Sequence, residues 1–161
     1  MNAKQISLIF ALVMPVALTT YAQDGSTSAN MHVTLEVLKS CAVSAEDMNF
    51  GEHASSETAE LTADSTVTVT CTSGTEYKLN ATSTNGGADA FTLVSGNSSV
   101  AYNLYADDAK TQQVTSTTPI ENMTGTGNEQ EITLYGKIAS GALAQVPAGT
   151  YEDDVTLQVT Y

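Results

Sequence analysis

The chain closes on Tyr151-Glu152-Asp153-Asp154-Val155-Thr156-Leu157-Gln158-Val159-Thr160-Tyr161, and this run decides the fold class. Tyr151, Val155, Leu157, Val159 and Tyr161 share one parity, while Glu152, Asp154, Thr156, Gln158 and Thr160 share the other. Successive side chains of a strand point to opposite faces, so this period of two predicts a strand with one face to bury. Asp153 alone interrupts the apolar face, near the start of the strand, where solvent is expected to reach it. A last strand with nothing after Tyr161 is expected to leave an edge.

The same period recurs upstream. Val67, Val69 and Cys71 alternate within Ser65–Cys71; Tyr77, Leu79 and Ala81 follow the turn Thr72-Ser73-Gly74; Ile132, Leu134, Gly136 and Ile138 form a further set. Residues 90–94 and 100–105 flank Ser95-Gly96-Asn97-Ser98, which predicts a hairpin. A short strand is expected around Val114, within residues 112–116. Residues 52–65 and 124–128 are expected to be loops, the second a flexible one, and Asn85-Gly86-Gly87 a turn. No segment carries a helical period. Short strands separated by turn signals predict an all-β sandwich or barrel. A disulfide between early strands favours an immunoglobulin-like sandwich, although the chain has no Trp to pack against it.

Composition narrows the function. The 161 residues carry 18 Asp and Glu against 5 Lys and Arg, a formal charge of −13, and all five cations are Lys. Such a chain is a poor partner for nucleic acid or an anionic membrane surface, and it has none of the planar Arg forks that grip phosphate. With 42% hydrophobic and 14% charged residues, it has the means to bury a core.

Lys4 precedes an apolar run from Ile6 to Leu18, followed by Thr19-Thr20-Tyr21-Ala22 with small residues three and one before a break after Ala22. This layout predicts a signal peptide over residues 1–22. A membrane anchor is the rival reading, but a spanning helix needs about 20 apolar residues, and Pro15 interrupts this one. Export makes a disulfide the default for Cys41 and Cys71, since no C-x-x-C spacing points to a redox pair. Closing that loop is worth about 3–4 kcal/mol on the chain-entropy model.

Behind the polar linker Asp24–Asn30, Met31, Val33, Leu35 and Val37 alternate with His32, Thr34 and Glu36. The alternation has two readings: the domain's own first strand, or a strand handed to a neighbour. Burying those four apolar side chains would contribute roughly 6–12 kcal/mol before ordering costs.

No catalytic constellation is present in the sequence. His32 and His53 are the only histidines, and they are not at metal-ligand spacing. The pairs Asp107-Asp108 and Asp153-Asp154 read as solvated turn or edge charge, because no D-x-D-x-D-G loop frames them. Neither a Gly-x-Ser-x-Gly elbow nor a phosphate loop occurs. No metal, cofactor or enzymatic activity is expected.

Three stretches together resemble the spore-coat-protein-U-like family, which includes the Csu-type pilins of archaic chaperone–usher pili. They are Val100-Ala-Tyr-Asn-Leu-Tyr-Ala-Asp-Asp-Ala-Lys110, Ile132-Thr-Leu-Tyr-Gly-Lys-Ile-Ala139, and Gly149-Thr-Tyr-Glu-Asp-Asp-Val-Thr-Leu-Gln-Val-Thr-Tyr161. The order of signal peptide, alternating segment, Cys41 and then Cys71 at the end of a Val-Thr-Val-Thr strand is similar too, and the likeness covers roughly residues 30–161. The resemblance implies an incomplete immunoglobulin-like β-sandwich that lacks its final strand and is completed by a donor strand. It divides the chain into a signal peptide (1–22), a linker and N-terminal donor strand (23–39), and a pilin domain (40–161). Met31, Val33, Leu35 and Val37 would be the donor-strand plugs, and Val155, Leu157, Val159 and Tyr161 would line the groove on the last strand. The partners implied are a periplasmic chaperone, an outer-membrane usher and other pilus subunits, with export to the cell surface and roles in attachment and biofilm growth. Leu38-Lys39-Ser40-Cys41 departs from the expected pattern in having no glycine hinge. The competing functions are a secreted coat or matrix protein that keeps its own strand, and a minor tip-proximal adaptor or adhesin subunit.

Overall fold

The computed structural model describes residues 24–161, so the expected signal peptide lies outside the described residues. The chain divides between Leu35 and Glu36 into two units. Residues 24–35 of the first unit form no helix or strand. In the second unit, eight strands build two antiparallel sheets. They are β1 (Cys41–Ala45), β2 (Leu61–Cys71), β3 (Glu76–Ser83), β4 (Phe91–Ser95), β5 (Ser98–Tyr105), β6 (Ile120–Thr124), β7 (Glu129–Ile138) and β8 (Val155–Thr160). One sheet has the order β1-β2-β7-β5-β4 and the other β6-β3-β8. This is an immunoglobulin-like sandwich, all-β as the alternation predicted.

The alternating positions supply the core. Val67, Val69, Leu79 and Ala81 have no exposed surface, and Phe91, Val100, Tyr102, Leu104, Leu134 and Ile138 are nearly as buried. Their outward neighbours are mostly Thr, Ser and charged residues, which tolerate water on the far face. The β4–β5 hairpin turns through Gly96-Asn97, with Ser95 opposite Ser98, and Gly96 takes the positive φ that such a tight turn demands. Cys41 and Cys71 stand directly opposite each other on β1 and β2 and are disulfide-bonded, so the bridge staples neighbours of one sheet rather than the two sheets to each other.

Several expectations from the sequence need correction. β2 begins at Leu61, well inside the expected loop, because a polar residue at a buried position is satisfied: the Ser65 hydroxyl donates to the Glu46 carbonyl at 2.6 Å. Residues 112–116 form no strand. The segment makes only one antiparallel bridge, Gln113 to Tyr105 of β5, with Val114 buried beside it, and it then breaks off because the hydroxyls of Thr115 and Thr117 donate to the Asp89 carboxylate. β6 had no clean period, since Asn122 has a positive φ and the β3–β6 register shifts between Tyr77 and Leu79. The loop after β6 is bonded into the fold. Gly125 exchanges backbone hydrogen bonds with Gly74 and Thr75, and a Cβ at Gly125 would stand 2.6 Å from the Thr72 carbonyl oxygen.

Candidate functional site

β8 pairs with β3 on one side only, from Val155 opposite Ser83 to Thr160 opposite Lys78. Its other edge carries no strand among the described residues. The consequence shows in burial: Leu79 and Ala81 on β3 are fully enclosed, whereas Val155, Leu157 and Val159 on the matching face of β8 are only half-buried. Beside β8 opens a cleft of about 1030 Å³. Val67, Tyr102, Leu104 and Leu134 of the five-stranded sheet form its floor, Val155 and Leu157 one wall, and Met48 and Phe50 the other. The core is therefore open to solvent along β8.

Residues 46–50 are held against the floor by a missing side chain. A Cβ at Gly136 of β7 would sit 2.7 Å from the Phe50 ring, so only glycine lets Phe50 and Met48 lie flat there. Phe50 also meets Tyr102 edge to face, with ring centroids 5.9 Å apart.

The cleft has an acidic mouth. Glu46, Asp47, Glu152, Asp153 and Asp154 line it, and among the described residues no Lys or Arg does. Asp153 is not the solvated edge charge that the sequence suggested. Its carboxylate accepts from the Tyr102 hydroxyl at 2.8 Å, the Ser83 hydroxyl at 2.6 Å and the Asn85 backbone N–H at 3.2 Å, tying β5, β3 and the approach to β8 together. Burial, and then the bond to Asp153, hold the Tyr102 phenol well above its usual pKa. Just before β8, Glu152 exchanges two backbone hydrogen bonds with Val94 of β4.

Of the residues singled out from the sequence, Val155 and Leu157 line the cleft, and Val159 continues the same half-buried face. Tyr161 lies beyond the end of β8 and is 56% exposed, beside Glu76, Lys78 and Glu121 rather than in the cleft. Met31, Val33, Leu35 and Val37 are 85%, 75%, 87% and 72% exposed and belong to no strand. Cys41 and Cys71 sit at the end of β1 remote from Ala45, which borders the cleft. The sequence reading missed the floor residues and Asp153. Tyr102, Leu104 and Leu134 carried the signal of alternation but not of a shared cavity.

The Spore Coat Protein U domain pattern matches residues 27–158, which is most of the chain. The chain belongs to the Spore Coat Protein U domain family. The match begins within the polar linker, so it takes in the exposed alternating segment as well as β1 to β8 up to Gln158. None of the curated proteins matches in sequence. Among solved structures, the spore coat U fold seen here is similar to one described as the "CsuC-CsuE chaperone-tip adhesion subunit pre-assembly complex from archaic chaperone-usher Csu pili of Acinetobacter baumannii". The TM-score is 0.54 at 23% identity, over 78% of this chain and 40% of that one. This chain thus spans about two-fifths of the matched chain's length, and at that identity the likeness is one of fold.

Proposed function

We propose that this spore coat U domain is a structural subunit of an archaic chaperone–usher pilus, polymerising by donor-strand complementation. The observation that carries the reading is the half-buried inner face of β8 at an open cleft, in a chain that also displays an unpaired alternating segment at residues 31–37. Such an edge is costly to leave bare, because its N–H and C=O groups and its apolar side chains all await a partner. β-augmentation satisfies both: the ladder supplies affinity, and alternate side chains supply register. In this reading Met31, Val33, Leu35 and Val37 are the plugs, and Val155, Leu157 and Val159 the acceptor wall. A periplasmic chaperone fills the groove first. The next subunit then replaces it at the outer-membrane usher, and the product is a surface fibre serving attachment and biofilm growth. The similarity to a chaperone-bound pilus subunit supports the same reading.

The test is denaturing electrophoresis of the exported protein, unheated against boiled, beside a variant lacking residues 23–38. Slow-dissociating strand exchange gives a ladder of multimers that collapses on boiling, and the deletion gives none. A deletion variant that stays folded and monomeric without a helper protein would overturn the reading, leaving a coat-type sandwich that does not polymerise.

A further inference from the structure

The donor segment and its acceptor strand each carry a charge in line with their apolar residues, and the two charges are opposite. On the segment, Met31, Val33, Leu35 and Val37 are followed at the same parity by Lys39. On the acceptor, Val155, Leu157, Val159 and Tyr161 are preceded at the same parity by Asp153. Resting on the polymerisation reading above, we infer that Lys39 of one subunit pairs with Asp153 of the next and sets the direction and register of the inserted strand.

Two registers match the apolar sets in full. Laid antiparallel to β8, the segment brings Val37 to Val155, Leu35 to Leu157, Val33 to Val159 and Met31 to Tyr161, and the same register puts Lys39 on Asp153. Laid parallel, Met31 meets Val155 and Val37 meets Tyr161, so Asp153 faces Ala29 and Lys39 overruns the strand. A one-residue slip from either would turn every apolar side chain to the wrong face. Slips of two keep the parity, and there the ion pair discriminates: each places Lys39 on an apolar residue or leaves Asp153 without it.

Asp153 is suited to the role. It is partly sheltered at the cleft mouth, and its three donors are all neutral. Among the described residues Lys137 pairs with Glu60 and His53 lies 3.5 Å from Glu57, and no described cation serves Asp153. The other cleft-lining charges, Glu46, Asp47, Glu152 and Asp154, are acidic too, which favours a basic residue at this end of the strand.

Lys39 cannot serve its own Asp153. The Ser40 N–H donates to the Thr72 hydroxyl at 3.1 Å, and that hydroxyl lies 3.4 Å from the Leu38 carbonyl oxygen, so Lys39 is held at the Cys41 end of β1. Ala45, at the other end of β1, is the residue that borders the cleft. Six residues of extended chain separate Lys39 from Ala45, about 20 Å, well beyond a lysine side chain. The pair therefore favours a second copy over self-completion.

The experiment uses the full exported chain and the ladder assay. Glu36→Cys with Thr156→Cys places thiols opposite each other in the antiparallel register, and His32→Cys with Thr156→Cys does so in the parallel one. We expect the first pair to give a covalent ladder that survives boiling without reductant, and the second to give none. Lys39→Glu should speed dissociation of the non-covalent ladder about tenfold, and Lys39→Arg should leave it near wild type. Lys39 is exposed, so neither substitution threatens folding. Cross-linking through residue 32 instead of 36, whether between chains or within one, overturns the register, as does a Lys39→Glu ladder as durable as wild type. A wild-type chain with no ladder overturns the polymerisation reading itself, a result distinct from either.

Discussion

Asp153 shows how much one side chain can hold. Three donors from three segments converge on its carboxylate, and replacing it by Ala leaves the Tyr102 and Ser83 hydroxyls without that partner at a half-buried site. We expect Asp153→Ala to cost about 2 kcal/mol, read as a lower urea midpoint at unchanged slope. Titration at other residues gives stability a predictable pH dependence. Hydrogen bonds from Thr117 and Thr115 lower the Asp89 pKa, and backbone and side-chain bonds from Gln112 and Thr111 lower that of Asp107. A carboxylate with a depressed folded pKa stabilises the fold above its unfolded value and loses that contribution as pH falls through the folded one. Urea midpoints should therefore decline once pH drops below about 3.8, the unfolded value for Asp. Tyr102 works the other way. Its raised pKa favours the fold below the unfolded value of 10.0, and stability should fall as pH rises beyond that.

At the scale of elements, the site depends on strands that are buried unequally on their two sides. β3 is sandwiched between β6 and β8 and reads as a clean alternation of buried and open positions, whereas β8 repeats the alternation only to half-burial. The difference lies in the neighbours and not in the residue types. β7 carries the matching constraint on the other sheet, since Gly136 leaves the space that Phe50 and Met48 fill. Gly136→Ala should force that segment off the floor and destabilise the domain by about 1–3 kcal/mol, measured by thermal unfolding. The same substitution should loosen one wall of the cleft, and on the proposed strand exchange its multimer ladder should dissociate faster than that of wild type.

Across the whole molecule, two features hold the sandwich together around the cleft. One is the disulfide, which closes a loop 30 residues long between adjacent strands. Cys41→Ser with Cys71→Ser should lose about 3–4 kcal/mol, seen as a urea midpoint shifted to that of the reduced wild type. The other is the strand order, which places the open side at β8, an edge of the smaller sheet, rather than among the five strands of the larger one. The larger sheet thus supplies the floor of the cleft through Val67, Tyr102, Leu104 and Leu134.

What the sequence determined by itself is the fold class and the identity of the strand-forming residues. Period two in residues 65–71, 132–138 and 155–159 is a local property, and each of those runs lies within a strand. The pairing of Cys41 with Cys71 was legible for a similar reason, as only two cysteines exist to be joined. What only the tertiary structure decided is which face stays open. Val67, Leu134 and Leu157 alternate alike in sequence, yet the first two are buried and the third is not, because burial depends on what the opposite sheet brings over each position. Asp153 looked like an exposed charge for the same reason. Its donors, at Ser83, Asn85 and Tyr102, lie 70, 68 and 51 residues away along the chain, and no local pattern could reveal that the fold would gather them around one carboxylate.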